Sequence, residues 1–160
     1  MSRHTYEIVC EWIGAGTEGT RNYRSYSRDH RILADGAPPI EGSSDPAFRG
    51  DPSRHNPEQL LLASISSCHM LWYLHLAATN GITVLSYVDR PTATMEEAPG
   101  NGRFTEALLR PEIAVARGAD LAVAAELHGR AHGECFVANS LNFPVRCAPE
   151  FREVDGPPPR

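Results

Sequence analysis

Apolar residues occupy nearly every face of the segment between Asn56 and Gly81, the most hydrophobic stretch of the chain. Asn56 suits the N-cap of a helix, Pro57 suits its first position, and Gly81 supplies a stop. Glu58 lies in the first turn, where the helix dipole favours a negative charge. About 23 residues at 1.5 Å per residue predict a helix about 35 Å long. Because its apolar residues point in all directions, we expect this helix to be buried in a core.

The residues before this helix show the alternation that is typical of strands. Tyr6–Ile13 predicts a first strand, a glycine-rich turn follows, and Arg21–Ile32 predicts a second strand paired with the first as a hairpin. Most arginines of the second strand are expected to face solvent. Residues 34–55 contain four prolines and three glycines, which predicts a long irregular loop. Loops of this length in compact domains often carry function.

The residues after the long helix predict two further strands, a second helix and a last strand. Pro111 indicates an edge position or a bulge, and Asp120 is expected to cap the second helix. The predicted elements are strands over Ile82–Glu97 and Arg103–Ala116, a helix from Leu121 to about His132, a helical turn over Cys135–Ser140 and a strand over Asn142–Cys147.

Strands occur in neighbouring pairs and do not alternate with helices. This order predicts an α+β fold, with antiparallel β-sheets packed around the long buried helix and the second helix. What precedes residues 34–55 is too short to bury a core alone, so we predict a single domain over residues 1–154. Residues 155–160 include three consecutive prolines and are expected to form a disordered tail.

Composition excludes several classes of function. All fifteen positively charged residues are arginine, so chemistry that depends on lysine, such as a Schiff base, is excluded. The net charge is −5 and no basic stripe occurs, which argues against nucleic acid as a partner. Since His69 and His75 interrupt the best apolar run, we expect no membrane span. The N-terminus lacks the apolar core of a signal peptide, so a cytoplasmic location is the default expectation.

The four cysteines, Cys10, Cys68, Cys135 and Cys147, form no C-x-x-C pair. In a reducing cytosol we expect reactive or buried thiols and no structural disulfides. Cys10 and Cys147 lie in strand-like segments with no chemical group nearby, and we interpret both as small buried hydrophobes. Cys68 lies near the middle of the long helix, where burial would raise its pKa. A reactive Cys68 therefore needs a cation from elsewhere in the chain, and arginine is the stronger expectation.

Cys135 follows the second helix and lies close in sequence to His128 and His132. It could form a catalytic disulfide with a distant cysteine. The competing interpretation is a metal site made of His128, His132 and Cys135, with Cys68 or His69 as a further ligand. Zinc signatures pair their ligands tightly at both ends, and the second pair is missing here. We therefore predict no metal and no cofactor, and keep the metal site as the alternative.

Three motifs resemble the OsmC/Ohr family of osmotically inducible and organic-hydroperoxide-resistance proteins. They are Asn56-Pro57-Glu58-Gln59-Leu60-Leu61, Ser67-Cys68-His69-Met70-Leu71 and the segment from Leu127-His128 to Asn139-Ser140. The resemblance extends from about Tyr6 to Val145 and implies an OsmC-like intertwined homodimer with active sites at the interface. His69 departs from the phenylalanine typical of hydroperoxide-resistance proteins and indicates a less characterised OsmC-like branch.

The resemblance implies a thiol peroxidase for organic hydroperoxides. Cys68 matches the peroxidatic cysteine and Cys135 the resolving cysteine, so that a Cys68 sulfenic acid would condense into a disulfide. A dithiol, lipoylated protein in some members, would reduce this disulfide. Glu58 matches the family's glutamate, and Arg21 or Arg49 matches its arginine, with Arg21 favoured. The alternative is a non-catalytic redox-sensing or ligand-binding stress protein.

Helix geometry constrains how Glu58 could act on Cys68. Ten residues separate them, which is about 15 Å along a continuous helix. They cannot touch within that helix, so either the helix bends or Glu58 meets the cysteine of a second subunit. The apolar neighbours of the two cysteines would favour a hydrophobic peroxide over a polar one; they are Met70, Leu71, Trp72 and Phe136.

Overall fold

The computed structural model describes residues 2–156 of the chain. The chain divides into two compact units, Met1–Leu61 and Leu62–Arg160. The single domain over residues 1–154 stays a prediction. Residues 157–160 of the expected disordered tail lie outside the described residues.

The first unit is built on a three-stranded antiparallel sheet in the order β1-β2-β3. The strands are β1 (Val9–Trp12), β2 (His30–Leu33) and β3 (Ile40–Gly42), and two 3₁₀ turns occur at Gly19–Arg21 and Pro46–Phe48. Cys10 pairs with Ile32, which confirms the predicted hairpin. The long helix α1 (Pro57–Thr79) begins at the end of this unit.

The second strand is much shorter than the sequence predicts. Its expected first half, from Arg21, forms turns because side chains there bond the local backbone. Asn22 Oδ1 accepts a hydrogen bond from Arg24 N at 2.9 Å, and Ser25 Oγ donates to Gly19 O at 2.7 Å. Such bonds compete with a strand ladder. The expected irregular loop over residues 34–55 is also wrong in part, since it contains β3.

The second unit contains two three-stranded sheets, in the orders β4-β7-β9 and β5-β6-β8. Each sheet joins one antiparallel pair to one parallel pair, and the helix α2 (Leu121–Glu134) lies in the chain between β7 and β8. The α+β class is confirmed, with mixed sheets in this unit. The strands are β4 (Val84–Asp89), β5 (Thr92–Ala98), β6 (Asn101–Leu109), β7 (Pro111–Ala116), β8 (Val145–Cys147) and β9 (Glu150–Val154).

Each of the two long strands predicted after α1 is two strands in the structure: β4 and β5 in the first case, β6 and β7 in the second. Pro91 follows β4, and its missing N–H and fixed φ suit a break in the ladder. Pro111 is the first residue of β7, where proline is tolerated. Because β7 is the central strand of its sheet and carries no bulge at Pro111, the expected edge or bulge position is wrong. The predictions omitted β9 altogether.

The predicted bounds of helix α1 are confirmed. Gln59 N donates to the Asn56 side chain at 2.8 Å, which is the expected cap. In the described chain one face of the helix is fully buried, and many of its other residues are half-buried. The fully buried residues recur every three or four positions, as on one helix face; they are Ile65, His69, Tyr73, Leu76 and Ala77. The side chain of Leu71 is 62% exposed.

By length and composition alone, α1 is apolar enough to cross a membrane, contrary to the expectation from His69 and His75. The core helix of a soluble protein meets the same criterion, so this property is weak evidence for a span. The core of the second unit forms between the buried face of α1, strand β7 and α2. Tyr73, Ile113, Val115 and Leu127 lie at its centre, each at most 1% exposed.

Candidate active site

The structure brings together the thiols of Cys68 and Cys135. Cys68 lies on α1 and is partly exposed, whereas Cys135 caps the end of α2 and is fully buried. Burial, and then a hydrogen bond with Cys68, raises the pKa of Cys135 to about 11. Within residues 2–156 all four cysteines are free thiols. The pair therefore combines a partly exposed cysteine with a buried one whose high pKa keeps its thiol protonated near neutral pH.

The end of α2 fixes the position of the Cys135 sulfur. The helix stops at Glu134, and Cys135 adopts an extended conformation whose N–H bonds His132 O at 3.4 Å. Ala138 N then donates to Cys135 Sγ at 3.5 Å. The side chain of Asn139 donates to Gly133 O at 2.9 Å and holds the following turn against the helix. Together these hydrogen bonds hold the Cys135 side chain and the turn that follows it in one position.

An apolar surface adjoins the thiol pair. Leu71 and Trp72 follow Cys68 by three and four positions, so they share its side of α1. The ring of Trp72 lies edge-on to Phe136, the residue after Cys135, with ring centroids 5.4 Å apart. Leu71 and Phe136 are 62% and 70% exposed. Leu71, Trp72 and His75 line a cavity of about 250 Å³.

The other predicted catalytic residues belong to the first unit. Arg21 ends the first 3₁₀ turn and is exposed. Arg49 is exposed, has a left-handed φ of 68° and lies 5.7 Å from the ring centroid of Tyr23. Glu58 has a buried carboxylate oxygen, Oε2, without a hydrogen-bond partner in the described part of the chain. Neither arginine forms an ion pair among residues 2–156, so their roles stay predictions.

Arg28 belongs to the arginines expected to face solvent, but it is half-buried. Its guanidinium lies over the rings of Tyr23 and Tyr26, 4.5 and 4.2 Å from their centroids, and donates to both carbonyl oxygens. It lines a cavity of about 410 Å³ together with Trp12 and His30. The two tyrosines that precede it at short spacing are the signal that could have identified this cation–π arrangement.

A cluster of three ionisable side chains, His69, His128 and Cys147, lies inside the second unit. His69 Nε2 is 2.9 Å from His128 Nδ1, and Cys147 Sγ is 3.6 Å from the same His128 atom. The imidazoles are only 2% and 4% exposed. Burial lowers the pKa of His69 to about 4 and that of His128 to about 3, and it raises the pKa of Cys147 to about 12. The view of Cys147 as a thiol without chemical neighbours is therefore wrong.

This group also replaces the alternative metal site suggested by sequence. Among the described residues, the one group of three or more potential metal ligands is His69, His128 and Cys147, whose ligand atoms all lie within 4.8 Å of one another. His132 is exposed, and neither it nor Cys135 belongs to the group. The position of His69, four residues after the buried Ile65 on one helix face, is the signal that could have placed it inside.

Two tyrosines and an aspartate surround the histidine pair. The ring of Tyr73 stacks on His128 with centroids 3.9 Å apart. The hydroxyls of Tyr73 and Tyr87 are buried without partners in the part of the chain that is described, and burial raises the pKa of Tyr73 to about 12. Asp89 accepts hydrogen bonds from Ser66 Oγ at 2.6 Å and Arg110 N at 2.7 Å.

Comparison with known proteins identifies similar sequences and structures. A family model described as OsmC-like protein matches residues 50–150. An OsmC-like protein of unknown function from Vibrio cholerae is 29% identical, with 93% of this chain and 99% of that chain covered and a TM-score of 0.80. The comparison with curated proteins found no significant match.

Two other similar structures are described as organic hydroperoxide resistance proteins. The protein from Legionella pneumophila is 18% identical, with 93% and 98% of the two chains covered and a TM-score of 0.62. The protein from Elizabethkingia anophelis is 17% identical, with 96% and 100% covered and a TM-score of 0.66. At these identities the similarity shows a shared fold.

Proposed function

The chain belongs to the OsmC family, and on this basis we propose that it is a thiol peroxidase that reduces organic hydroperoxides to alcohols. The observation that carries the proposal is the contact between the partly exposed thiol of Cys68 and the buried thiol of Cys135. Relatives described as organic hydroperoxide resistance proteins support the choice of substrate.

The reaction uses the two sulfurs in sequence. The Cys68 thiolate attacks the distal oxygen of the hydroperoxide, the O–O bond breaks, and the alkoxide leaves as an alcohol after it takes up a proton. The resulting Cys68 sulfenic acid reacts with the thiol of Cys135, which forms a disulfide and releases water. A dithiol, such as a lipoylated protein, then returns both cysteines to thiols in exchange for its own disulfide.

The thiolate of Cys68 needs a positive charge and an organised site. Glu58 precedes Cys68 by ten residues on the same helix, so we propose that Glu58 and an arginine, Arg21 or Arg49, act on Cys68 across the interface of a homodimer. Glu58 has a buried carboxylate oxygen that lacks a partner in the described residues, which supports an arginine partner from another subunit.

The apolar surface beside the thiol pair supports a hydrophobic peroxide as the substrate. Leu71 and Phe136 expose more than half of their side chains, and Trp72 joins them next to the cysteines. Burying such surface against an alkyl chain stabilises the complex by about 25 cal/mol per Å². A bulky peroxide such as cumene hydroperoxide is therefore expected to react faster than hydrogen peroxide.

Peroxide consumption with dihydrolipoamide as the reductant tests this function. Cys68→Ser is expected to lose at least about 100-fold in kcat/KM, because it removes the nucleophile. Cys135→Ser is expected to keep the first reaction with peroxide and to lose turnover with the dithiol. Cys10→Ser, a change of an exposed thiol on β1, is the matched control and is expected to stay active. Full activity of Cys68→Ser would overturn the proposal and favour the redox-sensing alternative.

A further inference from the structure

The strongest unexplained feature of the second unit is the meeting of three ligand-type atoms from three different elements. His69 Nε2 comes from α1, His128 Nδ1 from α2 and Cys147 Sγ from β8, and these atoms lie within 4.8 Å of one another. The peroxidase reaction proposed above uses none of them. Two imidazole nitrogens and one thiolate are a ligand set that suits Zn²⁺.

His128 Nδ1 has two potential hydrogen-bond partners and can form a full hydrogen bond with only one of them. This atom lies 2.9 Å from His69 Nε2 and 3.6 Å from Cys147 Sγ, yet a neutral ring nitrogen has one lone pair or one hydrogen to offer. The ring planes of the histidines differ by 13° and their centroids are 5.2 Å apart, so the two nitrogens face each other edge to edge. When His69 and His128 share one proton between their facing nitrogens, the Cys147 thiol has no good hydrogen-bond partner at His128.

The spacing of these atoms is close to that around a tetrahedral zinc ion. With Zn–N near 2.05 Å and Zn–S near 2.3 Å, tetrahedral geometry places two nitrogens about 3.3 Å apart and a nitrogen and a sulfur about 3.5 Å apart. The observed N–S separation of 3.6 Å fits, and the N–N separation of 2.9 Å would have to widen by about 0.4 Å. The third pair, His69 Nε2 and Cys147 Sγ, lies within 4.8 Å and needs a separation of about 3.5 Å around the same ion, so binding requires these side chains to adjust.

The surroundings can balance the charge of a divalent ion. A thiolate at Cys147 supplies one negative charge, and the carboxylate of Asp89, which acts electrostatically on both His69 and Cys147, supplies a second. Asp89 is itself held by Ser66 and by the backbone N–H of Arg110. The hydroxyls of Tyr73 and Tyr87, which lack partners among the described residues, belong to the same region, since the charge of Cys147 acts on both.

We propose that His69, His128 and Cys147 form a binding site for a zinc-type transition-metal ion, separate from the Cys68–Cys135 pair. The ion binds to Nε2 of His69, Nδ1 of His128 and the thiolate of Cys147. One proton leaves, that of the Cys147 thiol, and the imidazole protons reside on the distal ring nitrogens. Since the ligands come from α1, α2 and β8, the bound ion ties these three elements together.

The test must separate Cys147 from the other thiols, because Cys68 and Cys135 could also bind a metal. A triple variant, Cys10→Ser, Cys68→Ser and Cys135→Ala, keeps Cys147 as its sole cysteine. We expect the reduced triple variant to bind one Zn²⁺ in competition with a chromophoric chelator and to release about one proton per ion. With Co²⁺ it is expected to show tetrahedral d–d bands and a thiolate-to-cobalt charge-transfer band.

Removal of a ligand completes the test. Cys147→Ala introduced into the triple variant is expected to weaken Zn²⁺ binding at least about 100-fold, and His75→Gln, a change of an exposed histidine on α1 in the same background, is expected to leave it unchanged. Absence of stoichiometric binding by the triple variant would overturn the proposal, as would binding that survives Cys147→Ala. Because the triple variant lacks the peroxidase cysteines, the result is independent of the proposed enzymatic function.

Discussion

At the scale of single residues, two buried histidines that carry no charge make the fold sensitive to acid. His69 and His128 titrate near pKa 4 and 3 in the folded chain, below the value of about 6.5 for an exposed imidazole. Burial is the main cause for both, while the charge of His132 lowers the pKa of His69 further and Asp89 raises it. The unfolded chain therefore binds more protons than the folded chain below about pH 6.5.

We predict that the contribution of these two histidines to the free energy of unfolding is constant above about pH 7 and falls as the pH drops from 6.5 towards 4. Each histidine contributes a slope of up to about 1.4 kcal/mol per pH unit. Urea unfolding of chelator-treated protein between pH 7.5 and 5 measures this slope. The double variant His69→Gln, His128→Asn is expected to flatten it, and His75→Gln is expected to leave it unchanged. An equally steep slope in the double variant would refute the assignment.

The choice between Arg21 and Arg49 is also a question at the residue scale. We predict that Arg21→Ala lowers the rate of Cys68 oxidation by peroxide at least about tenfold, because it removes the proposed cation that stabilises the thiolate. Arg24→Ala, a neighbouring exposed arginine, serves as the control. A larger effect of Arg49→Ala than of Arg21→Ala would assign the role to Arg49.

The motifs that carry the resemblance to the OsmC/Ohr family predict which two cysteines lie together, while the chemical roles of these cysteines stay predictions. Cys68 and Cys135 could be paired from the motifs around them, and the structure places their thiols in contact. Cys147 could not be assigned to His69 and His128, because three distant segments meet only after the mixed sheets of the second unit have formed. Contacts between side chains that form only through tertiary packing leave no pattern within a short stretch of sequence.

At the scale of elements, helix α2 positions both the thiol pair and the buried histidine cluster, since it carries His128 and is followed by Cys135. Asp120 caps its first turn and accepts hydrogen bonds from Ala122 N and Val123 N, both at 3.0 Å. The helix depends on this cap, because its interior glycine, Gly129, weakens it.

We predict that Asp120→Ala lowers the free energy of unfolding by about 1 kcal/mol, because it leaves two backbone N–H groups without their acceptor. Asp120→Asn keeps a side-chain oxygen at the cap and is expected to lose much less. Urea unfolding at pH 7.5 measures both variants. Equal losses in the two variants would show that the charge of Asp120, and not its hydrogen bonds, stabilises the helix.

The sequence predicted helices better than strands, and the reason is physical. The bounds of α1 and α2 follow from Asn56, Pro57 and Asp120, which act within one turn. Strand bounds depend on partners far along the chain. The parallel pairing of β9 with β7 joins residues almost forty positions apart, which no alternation within β9 could indicate.

At the scale of the whole molecule, the described chain exposes large apolar side chains on both of its units. Tyr6, Ile8 and Val9 of the first unit are 89%, 63% and 59% exposed, and Leu71 of the second unit is 62% exposed. Apolar surface of this kind often marks an interface, and symmetric dimers are the commonest assembly that covers it. This supports the homodimer that the proposed active site requires.

We predict that the reduced protein sediments as a dimer at micromolar concentration. Ile8→Glu is expected to shift it towards monomer, because a charge replaces an apolar side chain at the interface, and to lower peroxidase activity in parallel. Glu11→Ala, on the exposed strand β1, is the control. Sedimentation velocity at several concentrations measures the assembly. A monomer with full activity would contradict an active site shared between subunits.

The most direct test of the peroxidase is a single turnover of the reduced wild-type protein. Stopped-flow mixing with one equivalent of cumene hydroperoxide, followed by peptide mapping under non-reducing conditions, measures the rate of oxidation and the product. We predict oxidation at least about a hundred times faster than that of a free thiol, with Cys68 and Cys135 joined in a disulfide. Oxidation at the rate of a free thiol, without this disulfide, would contradict the proposed function.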